Sequence, residues 1–103
     1  MNTQLQWYAV YVKSRNEKKV AERFEARGLA CYCPLHTVTR QWSDRRKKVR
    51  EPLFKSYVFV QSNTSTRLTV LQTPGVVGFV NWLGRPAVIR NSEIDAIRIF
   101  LED

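Results

Sequence analysis

Cys31, Cys33 and His36 come nearest, by type and spacing, to a reactive or metal-binding group. Side chains two apart on a strand share one face, so a C-x-C pair beside a histidine can suggest zinc or a Cys–His nucleophile. A structural zinc site needs about four ligands, and the chain has no other Cys or His. No acid near His36 in sequence is placed to orient it, and there is no Gly-rich phosphate loop. Two packed, reduced thiols and an arm histidine are therefore the better reading. No catalytic residue, metal or cofactor is expected, and neither is enzymatic activity.

The second kind of chemistry is charge. The net charge is +8 over 103 residues, which favours an anionic partner. The charge is concentrated: Arg40, Arg45, Arg46, Lys47, Lys48 and Arg50 stand against Asp44 alone, a net +5 within eleven residues. Trp42 is interleaved with them, which suits phosphate contact combined with packing on a base or sugar. Lys13, Lys19 and Arg23 offer a second basic surface on and before the first helix, although ordinary helix solvation explains them about as well. The C-terminal stretch is acidic, with Glu93, Asp95, Glu102 and Asp103 against Arg98.

These residues need a scaffold, and the chain is the right length for a single domain, residues 1–103. Gln6–Val12 is aromatic and β-branched on both faces, a central strand. Ser14-Arg15-Asn16-Glu17 fits a capping box, which predicts a helix to about Arg27 with Val20, Ala21 and Phe24 inward and Gly28 after its end. Leu29–Cys33 reads as a strand closed by Pro34. Residues 36–51 turn polar, with alternation up to Ser43-Asp44 and back, as in a protruding hairpin arm. Leu53–Gln61 is a strand with Tyr57 and Phe59 on one face and Val58 and Val60 on the other. A short helix is expected in Asn63–Gln72 with Leu68 and Leu71 inside, then a Pro74-Gly75 turn, a strand Val76–Trp82 and a loop Gly84-Arg85-Pro86. Ser92 caps a last helix striped by Ile94, Ile97 and Leu101. The order β-α-β-(arm)-β-α-β-α gives an α+β fold, a split βαβ arrangement with a four-stranded antiparallel sheet flanked by helices. RNA-recognition modules share this order. Phe54-Lys55-Ser56-Tyr57-Val58-Phe59-Val60 lacks the glycines of their signature, so a free-standing RNA-binding module is the second reading. The surplus of rings suggests that one sheet face is not wholly covered by helices, and an exposed apolar patch there would mark a protein-binding site.

The sequence resembles the NusG N-terminal (NGN) domain family and, within it, RfaH-like specialised antiterminators of the UpxY type. The resemblance rests on Trp7-Tyr8, on Glu51-Pro52-Leu53-Phe54 with Tyr57-Val58-Phe59-Val60, on Pro74-Gly75-Val76-Val77-Gly78-Phe79-Val80, and on Pro86 before Ile89 and Glu93. It implies a ferredoxin-like sandwich and a transcription elongation or antitermination factor that increases polymerase processivity. It also implies docking on the clamp helices of the largest RNA polymerase subunit through a depression of Tyr11, Phe54, Tyr57, Phe59, Trp82, Ile94 and Ile97. Ser65, Thr66 and Arg67 would face the opposite jaw. Lys13, Lys19 and Arg23 would lie near non-template DNA, and the arm near upstream DNA. A cytoplasmic monomer with no membrane association is expected, and the sequence is read as the NGN domain without the C-terminal KOW domain that usually follows. One motif departs from the family: Phe54-Lys55-Ser56-Tyr57 stands where Phe-Pro-Gly-Tyr or Phe-Pro-Asn-Tyr is frequent, so the bend there is expected to differ.

Overall fold

In the computed structural model, which describes residues 3–102, β1 spans Gln6–Val12. It is the centre of the main sheet because both of its faces are apolar. It pairs antiparallel with β5 (Tyr57–Ser62), in the register Tyr8↔Val60, Ala9↔Phe59 and Tyr11↔Tyr57. On its other side it pairs with β6 (Val76–Phe79) through Val10–Val12 and with β9 (Val88–Ile89) through Trp7 and Tyr8. β2, Cys31–Tyr32, joins the far edge of β5. The order β2-β5-β1-β6, antiparallel throughout, is the split βαβ arrangement of a ferredoxin-like fold, with β9 as an added fifth strand.

Period two sorts the core. Tyr8, Val10, Val12, Val58 and Val60 point to one side, where they meet Val20 and Phe24 of α1 (Glu17–Ala26) and Val70 of α2 (Arg67–Leu71). The α2–β6 turn closes tightly over α1. At Gly75 (φ +96) a Cβ would stand 2.7 Å from Val20 Cγ2, so only glycine fits. Trp7 and Phe59 point to the opposite side and pack with Ile94 of α3 (Asn91–Glu102).

Several boundaries differ from the sequence reading. The capping box does not form: Asn16 caps α1 without a side-chain bond, and Glu17 turns away to another partner. In α2, Val70 is buried and Leu68 is exposed, because the helix is one short turn rather than a ten-residue element. α3 begins at Asn91, ahead of Ser92, and Glu93 Oε1 accepts the Arg90 amide at 3.1 Å, the carboxylate half of a capping box. The strand expected over Val76–Trp82 breaks after Phe79. A small hairpin of β7 (Asn81–Trp82) and β8 (Arg85–Pro86) follows, turning at Leu83-Gly84, where both φ values are positive (54° and 78°). That is the geometry of a tight hairpin turn, so Gly84-Arg85-Pro86 is turn and strand rather than loop. The strand expected from Leu53 starts only at Tyr57.

The arm is a separate two-stranded sheet, β3 (Leu35–Trp42) with β4 (Arg45–Pro52), in register from Leu35↔Pro52 to Trp42↔Arg45. Its root is tied to the body by the Lys18 ammonium, which donates to the Arg50 carbonyl at 2.8 Å, and by the Leu53 amide, which donates to the Pro34 carbonyl at 2.8 Å. Eight residues per strand reach about 27 Å, and the molecule measures 52 × 28 × 27 Å.

Candidate polymerase and nucleic-acid surfaces

The helix-free half of the second sheet face gathers the rings. α3 covers Trp7 and Phe59 but stops short of the Tyr11↔Tyr57 pair. Tyr11 (41% exposed), Tyr57 (36%) and Phe54 (39%) remain open. The Tyr11 and Tyr57 rings lie 5.1 Å apart, and Phe54 meets Phe59 edge-on at 5.7 Å. Beside Tyr11 the partner strand offers Gly78, and nothing lies within 4 Å of where its side chain would begin. The result is a patch of open rings with a glycine at one side. Loss of water around the Tyr57 hydroxyl, with Tyr11 adding to it, raises its pKa above the ordinary phenol value.

Other residues expected to share this face are placed differently. Phe59 (8% exposed) lies beneath α3 and Ile94 (1%) on that helix's inner side, so their side chains support the surface rather than present themselves on it. Ile97 is half-buried on α3. Trp82 (71% exposed) stands on the β7–β8 hairpin, not on the sheet. Leu83 at that hairpin's turn is more exposed still, and the sequence reading passed over it.

Around Ser65–Arg67, Asn63 Oδ1 accepts hydrogen bonds from Ser65 Oγ and from the Thr66 amide, both at 3.1 Å, and Thr66 Oγ1 lies 2.9 Å from Ser62 Oγ. Thr66 is thereby committed to its own turn, while Ser65 and Arg67 are exposed.

The basic residues separate into two groups. Alternation puts Arg40, Arg45 and Lys47 on one face of the arm, with Val38, Val49 and Trp42. Arg46, Lys48 and Arg50 lie on the other with Thr37, Thr39 and Gln41. The net charge is therefore split across two faces, a separation that the sequence pattern carried but the charge count hid. The Lys47 ammonium sits 5.2 Å from the centre of the Trp42 ring, within cation–π range. Arg40 is bound bidentately to Glu51 at 2.6 and 2.9 Å, and that hydrogen bond holds the Glu51 carboxyl below its ordinary value. On α1, Lys19 is exposed. Arg23 is half-buried and donates to the Pro74 carbonyl at 2.7 Å, so part of its guanidinium secures the α2–β6 turn. Lys13 follows β1 next to that turn, its amide donating to the Gly75 carbonyl at 2.8 Å.

The thiols are structural in their surroundings. Cys31 Sγ lies 3.3 Å from the Ala21 carbonyl, which accepts its hydrogen bond. Burial, aided by nearby Glu25 and Cys33, pushes the Cys31 thiol up to about 11. Burial and Glu17 push Cys33 to about 11 against the opposing charge of Lys18. Thiols held protonated are poor nucleophiles. Among the described residues no three His, Cys, Asp or Glu side chains gather as metal ligands, and no helix is long and apolar enough to cross a membrane.

Comparison with known proteins agrees with this architecture. A solved structure described as "Domain interaction in Thermotoga maritima NusG" is 30% identical and superposes with a TM-score of 0.63, over 91% of this chain and 55% of that one. The chain thus spans a little over half the length of that relative. Residues 5–98 match the family described as "NusG: Transcription termination factor nusG", a family of transcription factors rather than enzymes. The chain belongs to the NusG family.

Proposed function

We propose that this protein is a transcription elongation factor of the antiterminator kind, which docks on the clamp helices of RNA polymerase and contacts nearby DNA, raising processivity. The observation that carries the reading is the uncovered half-face of Tyr11, Phe54 and Tyr57: an exposed aromatic patch on the sheet, left open where the rest of that face is sealed by α3. Exposed rings grouped this way are the usual form of a protein-docking anchor. A base-stacking platform would instead need open rings along the middle of this sheet face, where Ala9 pairs with Phe59, and Phe59 and the neighbouring Trp7 are buried under α3. The RNA-module reading is weaker for that reason.

In this reading the arm and the Lys13–Lys19 edge meet DNA, while Ser65 and Arg67 face the opposite jaw. The test is binding to an isolated clamp-helix fragment with no nucleic acid present. The factor binds it; an RNA module does not. For DNA, each phosphate neutralised contributes about −0.9 to the slope of log affinity against log salt. Because the arm's cations divide between two faces, changing Arg45 and Lys47 to Ala should flatten the slope by a different amount from changing Arg46 and Lys48. An unchanged slope in both variants would reduce the arm to a solvated hairpin.

A further inference from the structure

Glu17 is buried at the start of α1, yet it performs none of the capping its sequence position suggests. Its Oε2 accepts the Ser56 amide at 2.7 Å, a contact 39 residues away in sequence. Ser56 has φ +68°, the left-handed region, where a side chain is sterically disfavoured. The other side of the same residue is also held: the Ser56 carbonyl accepts the Val12 amide at 3.0 Å. Ser56 is therefore gripped from α1 and from β1, between Phe54 and Tyr57. Gly and Asn adopt this conformation more easily than Ser, so the backbone here is held against a local preference.

We propose that Glu17 is a positioning residue for the docking face: its carboxylate holds Ser56 in the left-handed conformation and so fixes the angle at which Phe54 and Tyr57 leave the sheet. The role rests on the clamp-docking reading for its purpose, but not for its geometry. It also ties two functional surfaces together, because the helix that Glu17 begins carries Lys19 and Arg23. The carboxylate compensates for a strained backbone with a charge-assisted hydrogen bond.

The test compares the wild type with Glu17→Gln, Glu17→Ala, and Glu17→Ala combined with Ser56→Gly. Three signals are read: exchange of the Ser56 amide, the Tyr11–Tyr57 ring contact by NMR, and affinity for the clamp-helix fragment. Glu17→Gln keeps an acceptor oxygen and should retain all three. Glu17→Ala should speed Ser56 exchange by about tenfold or more, the scale of one lost hydrogen bond to a charged group, and should weaken the ring contact and docking while the Val58 and Val60 amides stay protected. Adding Ser56→Gly should restore the ring contact and docking but leave the amide fast, because glycine takes the left-handed conformation unaided. The proposal is overturned if Ser56 exchange is unmoved in Glu17→Ala, or if docking falls only in step with global stability and Ser56→Gly restores nothing. Should Glu17→Ala not fold, wild-type exchange decides: a Ser56 amide as fast as open loop amides overturns the latch. If the wild type does not bind the clamp fragment, the docking reading fails, and the exchange and ring signals still judge the latch.

Discussion

The two faces of β1 and β5 are built from alternate residues of the same strands, and they are finished differently. One face, Tyr8, Val10, Val58 and Val60, is sealed by α1 and α2. The other is sealed only where α3 lies over Trp7 and Phe59, and open where Tyr11 and Tyr57 stand. Residue type does not separate them, since tyrosine serves as core at position 8 and as surface at positions 11 and 57. What separates them is how far the covering helix reaches. A ring's contribution to stability or to binding is thus set by helix placement, and single truncations along the two faces should read out that placement.

The largest effect belongs to the sealed face. Phe24→Ala removes a ring with no solvent exposure from beneath the sheet. It should cost about 3–5 kcal/mol and lower the melting temperature by roughly 12 °C or more. A loss under about 1.5 kcal/mol would mean that α1 does not seal this face. Ile94→Ala comes next, in the range of about 2–4 kcal/mol for a buried aliphatic truncation. It should loosen α3 specifically, so that α3 amides exchange faster while those of α1 hold. Equal acceleration in both helices would show that the two faces melt as one unit and would erase the distinction.

Tyr57→Ala tests the open half. Its stability cost should be about 1–2 kcal/mol, short of a core truncation. Its docking cost on the clamp-helix fragment should be about 2 kcal/mol, near thirtyfold. Thermal unfolding and binding measured on the same protein separate the readings. Large destabilisation with normal residual affinity would make Tyr57 a core residue and move the docking surface elsewhere.

Much of this was legible in the sequence. Aromatic and β-branched composition placed β1, and two periodicities, 2 for the strands and 3.6 for the helix, placed α1, the arm and the inward valines of β5, because local pattern and tertiary burial agree there. The arm's turn at Ser43-Asp44 was readable from alternation on both sides of it. What could not be read was decided between distant segments. That α3 would bury Phe59 and Ile94 while leaving Tyr57 open depends on where one helix ends relative to another strand. Glu17 looked like a capping residue because the local motif was complete; the tertiary partner, Ser56, took it instead. Leu68 was expected inside because a longer helix was expected, and Val70 took that place when α2 closed after one turn. Trp82 was read into one continuous strand with Val76 because nothing in Val76–Trp82 announces a break, although Leu83-Gly84 could have been read as a hairpin turn.

The smallest effect is expected where no face is covered, in the arm. Its two strands are held by backbone pairing and by one ion pair, Arg40 with Glu51, at 2.6 Å. Exposed pairs contribute little, so Glu51→Gln should leave global unfolding almost unmoved. The pair does make the arm pH-sensitive in a definite direction. The guanidinium lowers the Glu51 pKa in the folded arm below its value in the open chain. A carboxyl lowered on folding contributes its stabilisation fully above the unfolded pKa, about 4.3 for Glu, and loses it as pH falls through the lower folded value. Between about pH 7 and 5 the Arg40–Glu51 pair should therefore be intact, and below about pH 4 the root should open first. Amide exchange at Val38 and Val49, corrected for the intrinsic effect of pH, should rise at acid pH in the wild type. In Glu51→Gln the corrected exchange should be slightly faster at neutral pH and flat with pH. If the wild type is equally flat, the short Arg40–Glu51 contact is incidental, and the arm holds its shape by strand pairing, by the Lys47–Trp42 contact and by the root ties from Lys18 and Leu53.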